Sequence, residues 1–399
     1  MTELKDKALA YHSKKPAGKL ATVTTKECLT QQDLSLAYTP GVAEPVREIV
    51  KNPDNAYKYT AKGNLVAVIS NGTASLGLGN TGALASKPIM EGKAVLFKKF
   101  ANIDVFDIEV DTENVEDFIQ TVKNIAPTFG GINLEDIKAP ECFEIEKRLI
   151  DELDIPVFHD DQHGTAIIVA AGLLNALEVQ NKSIDSSKIT CLGAGSAGIA
   201  ILNLLCDLGA KKENIFLVDK EGIIRTDSKN LTKQKKLYMR NTTKKTLADA
   251  FQNADVFIGV AAANLVDEAM IKAMATNPIV FALSNPDPEI KPEVANACRD
   301  DLIMATGRTD YPNQVNNVLG FPFIFRGALD AKARKITTPM KIAAVNALKD
   351  LAKEDVPKEV LDAYNLDKLT FGKDYIIPKP FDPRLIDRVP KAVKDAAFS

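Results

Sequence analysis

The chain alternates between two kinds of hydrophobic pattern along its 399 residues. In the first, apolar residues follow one another for several positions, which is typical of strands buried on both faces of a parallel sheet. In the second, apolar residues recur every three or four positions, which predicts helices that cover such a sheet. These runs lie at 65–69, 132–134, 155–158, 188–192, 215–218, 256–260, 279–283 and 302–305, and Asn133, Lys188 and Thr190 are the polar or charged residues within them.

Helical spacing places helices between these runs. It predicts short helices at 3–12 and from Pro45 to Val50, a helix that begins at Pro88 and carries Lys93 one turn in, and a sheet-covering helix within 111–127. Segment 164–177 is apolar nearly all round and predicts a buried helix that joins two domains. The fold class is therefore α/β. We expect an N-terminal α/β domain over 1–160 and a doubly wound Rossmann-type domain over 161–399, whose tail packs back on the body.

Composition narrows the classes of partner without selecting a function. Hydrophobic residues make up 45% and charged residues 26% of the chain, and the formal net charge is −3. No excess of positive charge indicates a nucleic-acid or anionic-membrane partner, and no apolar run approaches the roughly 18 residues of a membrane span. The five cysteines show no CxxC spacing, and the start lacks an apolar signal core. We expect a cytoplasmic protein without a nucleic-acid or membrane partner.

Four carboxylates follow two of the predicted strands. Glu135 and Asp136 come after the run at 132–134, and Asp160 and Asp161 come after the run at 155–158, with an amphipathic helical pattern between them. Because a crossover helix joins parallel strands, both pairs emerge at the same sheet edge, where open α/β sheets bind ligands. Carboxylate oxygens that converge there suit Mg²⁺ or Mn²⁺. For either pair alone a cap of the next helix is the more usual explanation, and the presence of two pairs in one unit makes the two explanations nearly equal.

Two other side chains have chemistry that suits a cleft, although each has an ordinary structural explanation. Lys93 lies near the predicted helix start beside a glycine-rich loop, and the usual alternative is a solvated surface lysine. Tyr38 precedes a Thr-Pro-Gly turn, where a surface or packing tyrosine is the alternative. The glycines at 77, 79 and 82 formally spell GxGxxG, but residues 70–76 separate them from the preceding predicted strand, so they do not predict a dinucleotide site.

A later glycine-rich segment meets the requirements of a dinucleotide-binding turn. It follows the run at 188–192, opens an apolar helix and consists of Gly193, Ala194, Gly195, Ser196, Ala197 and Gly198. The next strand ends in Asp219, 21 residues after the last glycine, against the roughly 20 expected for the acid that binds the ribose. Asp219 favours NAD somewhat, but the adjacent Lys220 could pair with the 2′-phosphate of NADP. The sequence therefore does not decide between NAD and NADP.

The turns after the last three runs contain uncharged polar residues. Asn285, Asn316 and Asn317 would lie over the nicotinamide half of the cofactor in a doubly wound sheet, where they suit an amide or a carboxylate. Asn285 precedes a proline, and an ordinary Asn-Pro turn explains it equally well.

Several segments together resemble malic enzyme in its short bacterial-type form. They cover nearly the whole chain in the right order and are YTPGVAEP, LGLGNTGALASKPIMEGKAVLFK, LEDI, HDDQHGT, GAGSAGIA, ALSNPDPEI and YPNQVNNVLGFPFIFRGAL. The resemblance implies an N-terminal malic-type domain and an NAD(P)-binding domain. It also implies oxidative decarboxylation of L-malate to pyruvate and CO₂ with reduction of NAD(P) and a divalent metal ion.

The resemblance further implies roles for single residues. The metal ligands would be Glu135, Asp136 and Asp161. The general base would be Lys93, supported by Asp160, and the general acid would be Tyr38. Residues 193–198 and Asn285 would contact the cofactor, and Asn317 the substrate.

The chain departs from the family pattern at one point. Longer members place an arginine for the substrate carboxylate shortly before the GLG turn, whereas this chain reads NGTAS at 71–75. We predict Arg308, in the TGRTDYP turn, as the substitute. A base at Lys93 would also need its pKa lowered by burial or by positive neighbours, which we expect from the adjacent metal site.

Other functions fit part of this pattern. A metal-independent dehydrogenase would need no acid quartet, and a non-catalytic NAD-sensing module would need neither Lys93 nor Tyr38. A malolactic-type lyase would make lactate and retain its NAD. Because Tyr38 follows a polar N-terminal arm, we also expect a homodimer in which it can reach the neighbouring subunit's site.

Overall fold

The computed structural model describes residues 2–398 and contains two separate sheets. The strands are β1 (Leu65–Ser70), β2 (Asp104–Glu109), β3 (Gly131–Leu134), β4 (Val157–His159), β5 (Ile189–Leu192), β6 (Ile215–Asp219), β7 (Gly222–Ile223), β8 (Val256–Gly259), β9 (Ile279–Ala282) and β10 (Ile303–Thr306).

The helices lie between and around these strands. They are α1 (Thr2–Ser13), α2 (Gln31–Ala37), α3 (Ala43–Lys51), α4 (Ala56–Tyr59), α5 (Ala83–Ala101), α6 (Val115–Ile125), α7 (Glu141–Glu152), α8 (Thr165–Val179), α9 (Ser196–Asp207), α10 (Lys233–Lys236), α11 (Leu247–Phe251), α12 (Glu268–Ala273), α13 (Pro292–Cys298), α14 (Phe321–Asp330), α15 (Thr338–Leu351), α16 (Lys358–Ala363) and α17 (Leu385–Ala396).

The first sheet has the order β2-β1-β3-β4, and all of its strands are parallel. The chain leaves β1 towards β2 on one side and continues with β3 on the other side, so the winding reverses between β1 and β3. β1 is buried at every position, as its unbroken apolar run predicts. Helices α6 and α7 cover one face through Phe118, Ile119 and Leu149.

The second sheet has the order β10-β9-β8-β5-β6-β7, and only β7 runs antiparallel to its neighbour. Here the winding reverses between β5 and β8. This reversal is the topological switch point, beside which doubly wound sheets bind their ligands. The α/β fold class that the sequence predicts is confirmed.

Helix α8 lies between the two sheets and belongs to one continuous core. Ile167, Ile168 and Val169 are buried within it, and burying each side chain contributes roughly 1.5–3 kcal/mol. The later helix α14 packs back on α5, where Phe321 meets Phe97 edge-on with ring centroids 4.8 Å apart. The side chains on α5 are thereby fixed by packing from distant parts of the chain.

One sequence-based expectation is wrong in detail, and one strand was not predicted. The helix predicted to begin at Pro88 begins at Ala83, so Lys93 lies ten residues after the first helical residue rather than one turn in. Proline is tolerated inside α5 because Leu84, whose carbonyl loses its N–H partner, is exposed and can bind water. Strand β2 has a mixed pattern of exposed and half-buried residues, and the sequence did not predict it.

No helix within residues 2–398 is long and apolar enough to span a membrane.

Candidate active site

The carboxyl ends of both sheets open into one cleft of about 440 Å³. Loops that follow seven of the parallel strands contribute residues to its walls. The lining residues that follow these strands include Ala74, Glu135, Asp136, Asp161, Ser196, Ala197, Ala261, Ser284, Asn285, Gly307, Asn316 and Asn317. Because each sheet has its switch point near this cleft, a ligand in it can touch both halves of the molecule.

Lys93 enters the cleft from α5 and is almost completely buried. Its Nζ lies 2.8 Å from Oε1 of Glu135 and 2.6 Å from Oδ2 of Asp160, and it stands 4.4 Å from the centroid of the Phe321 ring. Burial acts to lower the pKa of Lys93, but Asp160 and Glu135 outweigh it and raise that pKa above its usual value. The lowering of this pKa that the sequence analysis expects is therefore not found, because the two carboxylates stabilise the ammonium form.

Three carboxylates converge beside this lysine. Glu135, Asp136 and Asp161 each present an oxygen, and the three oxygens lie within 4.8 Å of one another. The register of β3 with β4 makes this possible, since Leu134 is paired with His159 and both acidic segments leave the sheet at one edge. Burial and the neighbouring aspartates raise the pKa of Glu135.

A backbone hydrogen bond joins two of these residues. Asp136 adopts a left-handed φ of 54°, and its backbone N–H donates to Oδ2 of Asp161 at 2.8 Å. Behind them, Asn133 of β3 donates from its amide to Oε2 of Glu135 at 2.9 Å. The donor set of three oxygen ligands around one point fits a divalent cation, which would relieve the repulsion among them.

Asp160 and Asp161 start a single π-helical turn, Asp160–Gly164, that leads into α8. A Cβ on Gly164 would lie 1.7 Å from Oδ1 of Asp160, so only glycine leaves room for that buried carboxylate. Asp160 also accepts from the amide of Asn317 at 3.1 Å, and Asn317 in turn accepts from the hydroxyl of Thr165 at 3.2 Å. The residues Lys93, Asp160 and Asn317 therefore form one connected unit.

The dinucleotide turn has the geometry that its three glycines require. Gly193 adopts a φ of 116°, and a Cβ on Gly198 would lie 1.8 Å from the carbonyl oxygen of Gly193, so both positions need glycine. A Cβ on Gly195 would meet no atom within 4 Å, so that face is open for close approach by a ligand. Gly195 caps α9, whose N-terminal N–H groups suit a pyrophosphate.

The strand end at Asp219 borders a second, wider cavity of about 750 Å³ that continues from the turn. Oδ2 of Asp219 is 2.6 Å from Nζ of Lys235, and Oδ1 accepts from the backbone of Glu221 at 2.9 Å. Lys220 and Lys245 also line this cavity. The acid is thus partly neutralised by a lysine that the sequence analysis did not consider.

The predicted general acid, Tyr38, and the predicted substrate arginine, Arg308, lie outside the cleft. Tyr38 follows α2, is 69% exposed and does not line the cleft. Arg308 pairs with Asp310 at 2.7 Å and with Asp287 at 3.6 Å, and only its neighbour Gly307 lines the cleft. The prediction that Arg308 binds the substrate carboxylate has no support in this geometry, because adjacent aspartates hold its guanidinium.

Sequence reasoning missed the residues behind the reactive groups. Asn133 is a polar residue within a fully buried strand, which is a usable signal. Glu146 is a second such case, since it is a charged residue on the apolar stripe of α7 formed by Cys142, Ile145 and Leu149. Phe321 offered no signal, because only the tertiary packing of α14 brings it to Lys93.

A dinucleotide-binding sheet that shares its cleft with a buried lysine and a carboxylate cluster defines a nucleotide-dependent oxidoreductase. The family model of the malic enzyme N-terminal domain matches residues 17–150, and that of the malic enzyme NAD-binding domain matches residues 162–365. The chain belongs to the malic enzyme family, the decarboxylating NAD(P)-dependent oxidoreductases that act on malate.

Individual relatives agree with this assignment. The chain is 60% identical to the NADP-dependent malic enzyme of Halomonas elongata, across 100% of this chain and 94% of that protein. It is 54% identical to the NAD-dependent malic enzyme of Rhizobium meliloti, but spans only 51% of that protein's length. The crystal structure of the Pyrococcus horikoshii malic enzyme is 45% identical, with a TM-score of 0.87 over 99% of this chain and 90% of that chain.

Proposed function

We propose that this chain oxidises and decarboxylates L-malate with Mg²⁺ or Mn²⁺ held by Glu135, Asp136 and Asp161. The observation that carries the proposal is the convergence of these three carboxylates, within 4.8 Å, in the cleft that the dinucleotide turn also lines. When bound, the cation would polarise the C2 oxygen and stabilise the charge that develops as CO₂ leaves, while the dinucleotide accepts hydride.

Lys93 is the general base in this proposal. Its ammonium group is in contact with Glu135 and Asp160, and the attraction of these carboxylates holds the proton on nitrogen. A divalent cation on Glu135 would offset that attraction and free the amine to take the C2 hydroxyl proton. Metal binding and base activation are thereby coupled through one carboxylate.

Asp160 and Asn317 hold Lys93 in position for that proton transfer. Oδ2 of Asp160 accepts from Nζ of Lys93 at 2.6 Å and from the amide of Asn317 at 3.1 Å, so Asn317 acts on the lysine through Asp160. Asn317 lines the cleft and is the substrate contact that we propose. Among the described residues, no arginine lines this cleft, so we infer that the side-chain amides of Asn285, Asn316 and Asn317 bind the malate carboxylate.

Tyr38 supplies the final proton in this proposal, from the neighbouring subunit of a homodimer. It is a suitable donor because a tyrosine side chain carries an O–H group that can give up a proton. The arm around it exposes several apolar side chains that a second subunit would cover, namely Leu34, Leu36, Val42 and Val46. A cytoplasmic location remains a prediction from composition.

We infer that the strand end at Asp219 binds NADP in preference to NAD. Lys235 neutralises much of the repulsion that Asp219 would exert on a 2′-phosphate, and Lys220 and Lys245 face the same cavity. The NADP-dependent relative of Halomonas elongata supports this preference. A Lys220→Ala, Lys245→Ala double variant should lower kcat/KM for NADP and leave that for NAD almost unchanged; an equal fall for both would remove the assignment.

The metal assignment is tested with Asp161→Asn and a matched control, Asp151→Asn, whose carboxylate is exposed on α7. Mn²⁺ affinity is measured by electron paramagnetic resonance without malate or dinucleotide, and turnover is followed as pyruvate. We expect Asp161→Asn to lose both, and the control to keep both. Wild-type Mn²⁺ affinity and wild-type turnover in Asp161→Asn would refute the proposed site.

A further inference from the structure

Two aspartates with different tasks sit next to each other on one unusual piece of backbone. Asp160 contacts Lys93, whereas Asp161 joins the carboxylate cluster, and both begin the π-helical turn Asp160–Gly164. A π-helical turn has less favourable internal hydrogen bonds than an α-helix and occurs mostly at functional sites. Such a turn needs support from outside if it is to hold two carboxylates in fixed directions.

Glu146 of α7 supplies support of this kind. Its buried carboxylate accepts the backbone N–H of His159 at 3.0 Å, the side-chain amide of Gln162 at 3.1 Å and a ring nitrogen of His163 at 3.0 Å. These three donors lie immediately before and after Asp160 and Asp161. One carboxylate therefore binds the turn on both sides of the two reactive residues.

The charge of Glu146 is balanced through a relay that ends in a lysine. Nζ of Lys341, on α15, lies 3.0 Å from Nδ1 of His163. An ammonium group can only donate, so Nδ1 accepts and His163 carries its proton on Nε2, which donates to Glu146. The relay fixes the orientation of the imidazole and connects the turn to a helix from the far end of the chain.

Packing alone does not explain a carboxylate at position 146. Cys142, Ile145 and Leu149 occupy the same stripe of α7, and a fourth apolar side chain there would avoid the cost of burying a charge. All three hydrogen bonds of Glu146 go to residues 159–163, at the end of β4 and in the π-helical turn, rather than to its own helix. The group is thus specific for the turn.

We propose that Glu146 is a positioning residue that sets the directions of Asp160 and Asp161, and with them the metal affinity of the cleft. The proposal rests on the proposed role of Asp161 as a metal ligand. Outer groups that orient metal ligands typically change metal affinity or activity by about 10- to 100-fold when they are removed, and Glu146 would do so through the residues that flank Asp160 and Asp161.

Mn²⁺ affinity of Glu146→Gln, measured by electron paramagnetic resonance without malate, is the direct test. Glutamine keeps the volume but cannot accept from all three donors, so we expect affinity to fall by about 10- to 100-fold. Glu144→Gln is the matched control, because it makes the same change on an exposed residue of the same helix and should bind Mn²⁺ like the wild type. Unchanged NADPH affinity in both variants will show that the second sheet is intact.

The outcomes separate this proposal from the metal site itself. If Asp161→Asn loses Mn²⁺ while a folded Glu146→Gln binds it like the wild type, the positioning role is refuted and the metal site stands. If Asp161→Asn also binds Mn²⁺ normally, the metal site fails. Should Glu146→Gln not fold, Gln162→Ala removes one of the three hydrogen bonds; we expect its Mn²⁺ affinity to fall several-fold, and unaltered affinity would refute the role.

Discussion

Lys93 is the residue on which the proposed proton transfer depends. Two carboxylates and the Phe321 ring fix its ammonium group, and its side chain is only 11% exposed. We expect Lys93→Met to lower malate oxidation by about 10²- to 10⁴-fold, the usual contribution of a general base, with NADPH affinity retained. Lys98→Met, on the same helix but 56% exposed, is the control and should be nearly as active as the wild type.

The contrary result would be a Lys93→Met enzyme with more than about a tenth of wild-type kcat at saturating malate. The methionine side chain has a similar length and no charge, so such activity would mean that another group takes the C2 proton. The residual rate should also not be restored by raising the Mn²⁺ concentration.

Single residues divide clearly into those that sequence predicts and those that it does not. Glu135 and Asp161 were predictable because strand ends determine their positions, and the sheet register then brings them together. Arg308 was predicted from its charge alone, but Asp310 beside it satisfies that charge. Long-range partners such as Phe321 and Lys341 have no local signal, since they depend on how α14 and α15 pack.

At the scale of elements, the turn between β5 and α9 contains one glycine that the fold requires, Gly198, and one that we expect to matter for cofactor binding alone, Gly195. A side chain at Gly195 meets no protein atom within 4 Å, so Gly195→Val should leave the free energy of unfolding within about 0.5 kcal/mol. It should nevertheless lower NADPH affinity at least about tenfold, because the side chain takes the space of the pyrophosphate. A titration followed by NADPH fluorescence measures the affinity, and thermal unfolding measures the stability.

Gly198→Val is the comparison for that variant. Its Cβ would lie 1.8 Å from the carbonyl oxygen of Gly193, so we expect a large loss of stability in addition to lost binding. If Gly195→Val were destabilised as much as Gly198→Val, the open face described for Gly195 would be wrong.

The support of the π-helical turn by α7 should depend on pH. Burial acts to raise the pKa of Glu146, but His163, His159 and Lys341 outweigh it and lower that pKa to about 2, from an ordinary value of 4.5. Because the folded-state pKa is the lower one, the ionised carboxylate stabilises the fold fully above pH 4.5, and this contribution is lost as the pH falls towards 2.

Urea unfolding of the wild type and Glu146→Gln at several pH values checks this. We expect the wild type to be the more stable at pH 7 and the difference to narrow steadily from about pH 5 to pH 3. A difference that stays constant over that range would mean that ionised Glu146 is not stabilised by its partners.

Helices and strands were predictable from sequence where the pattern of apolar residues was uninterrupted or nearly so. The unbroken apolar runs gave β1, β5, β8 and β9 within a residue or two, because strands buried on both faces have no other periodicity. Helix α5 was predicted too short, because Pro88 was taken as its start although the surrounding structure tolerates proline inside it. The short α7 stripe was recognised, but its charged member Glu146 was not.

At the scale of the whole molecule, the exposed arm and Tyr38 lead to a prediction about assembly. If the tyrosine acts in the neighbouring subunit, a dimer of one Tyr38→Phe chain and one Lys93→Met chain regains one complete site. Equal mixing of these inactive proteins should then restore roughly a quarter of wild-type activity, the statistical yield of complete sites. Activity is followed as pyruvate, and exchange is verified by native mass spectrometry.

The control mixture pairs Lys93→Met with Asp161→Asn. Because Lys93 and Asp161 line one chain's cleft, each site of a mixed dimer lacks one of them, so this mixture should stay inactive. Recovery with Tyr38→Phe but not in the control would place the tyrosine in the neighbouring subunit. No recovery in either mixture, with exchange verified, would place the tyrosine and the lysine in the same subunit.

The central claim is that one cleft oxidises malate and releases CO₂ with a cation held by its carboxylates. The most direct measurement follows NADPH and pyruvate together, from malate and NADP, as EDTA is added and Mn²⁺ is then restored. We predict equal amounts of both products, a complete stop with EDTA and full recovery with Mn²⁺. Lactate without free NADPH, or oxidation that continues without metal, would contradict it.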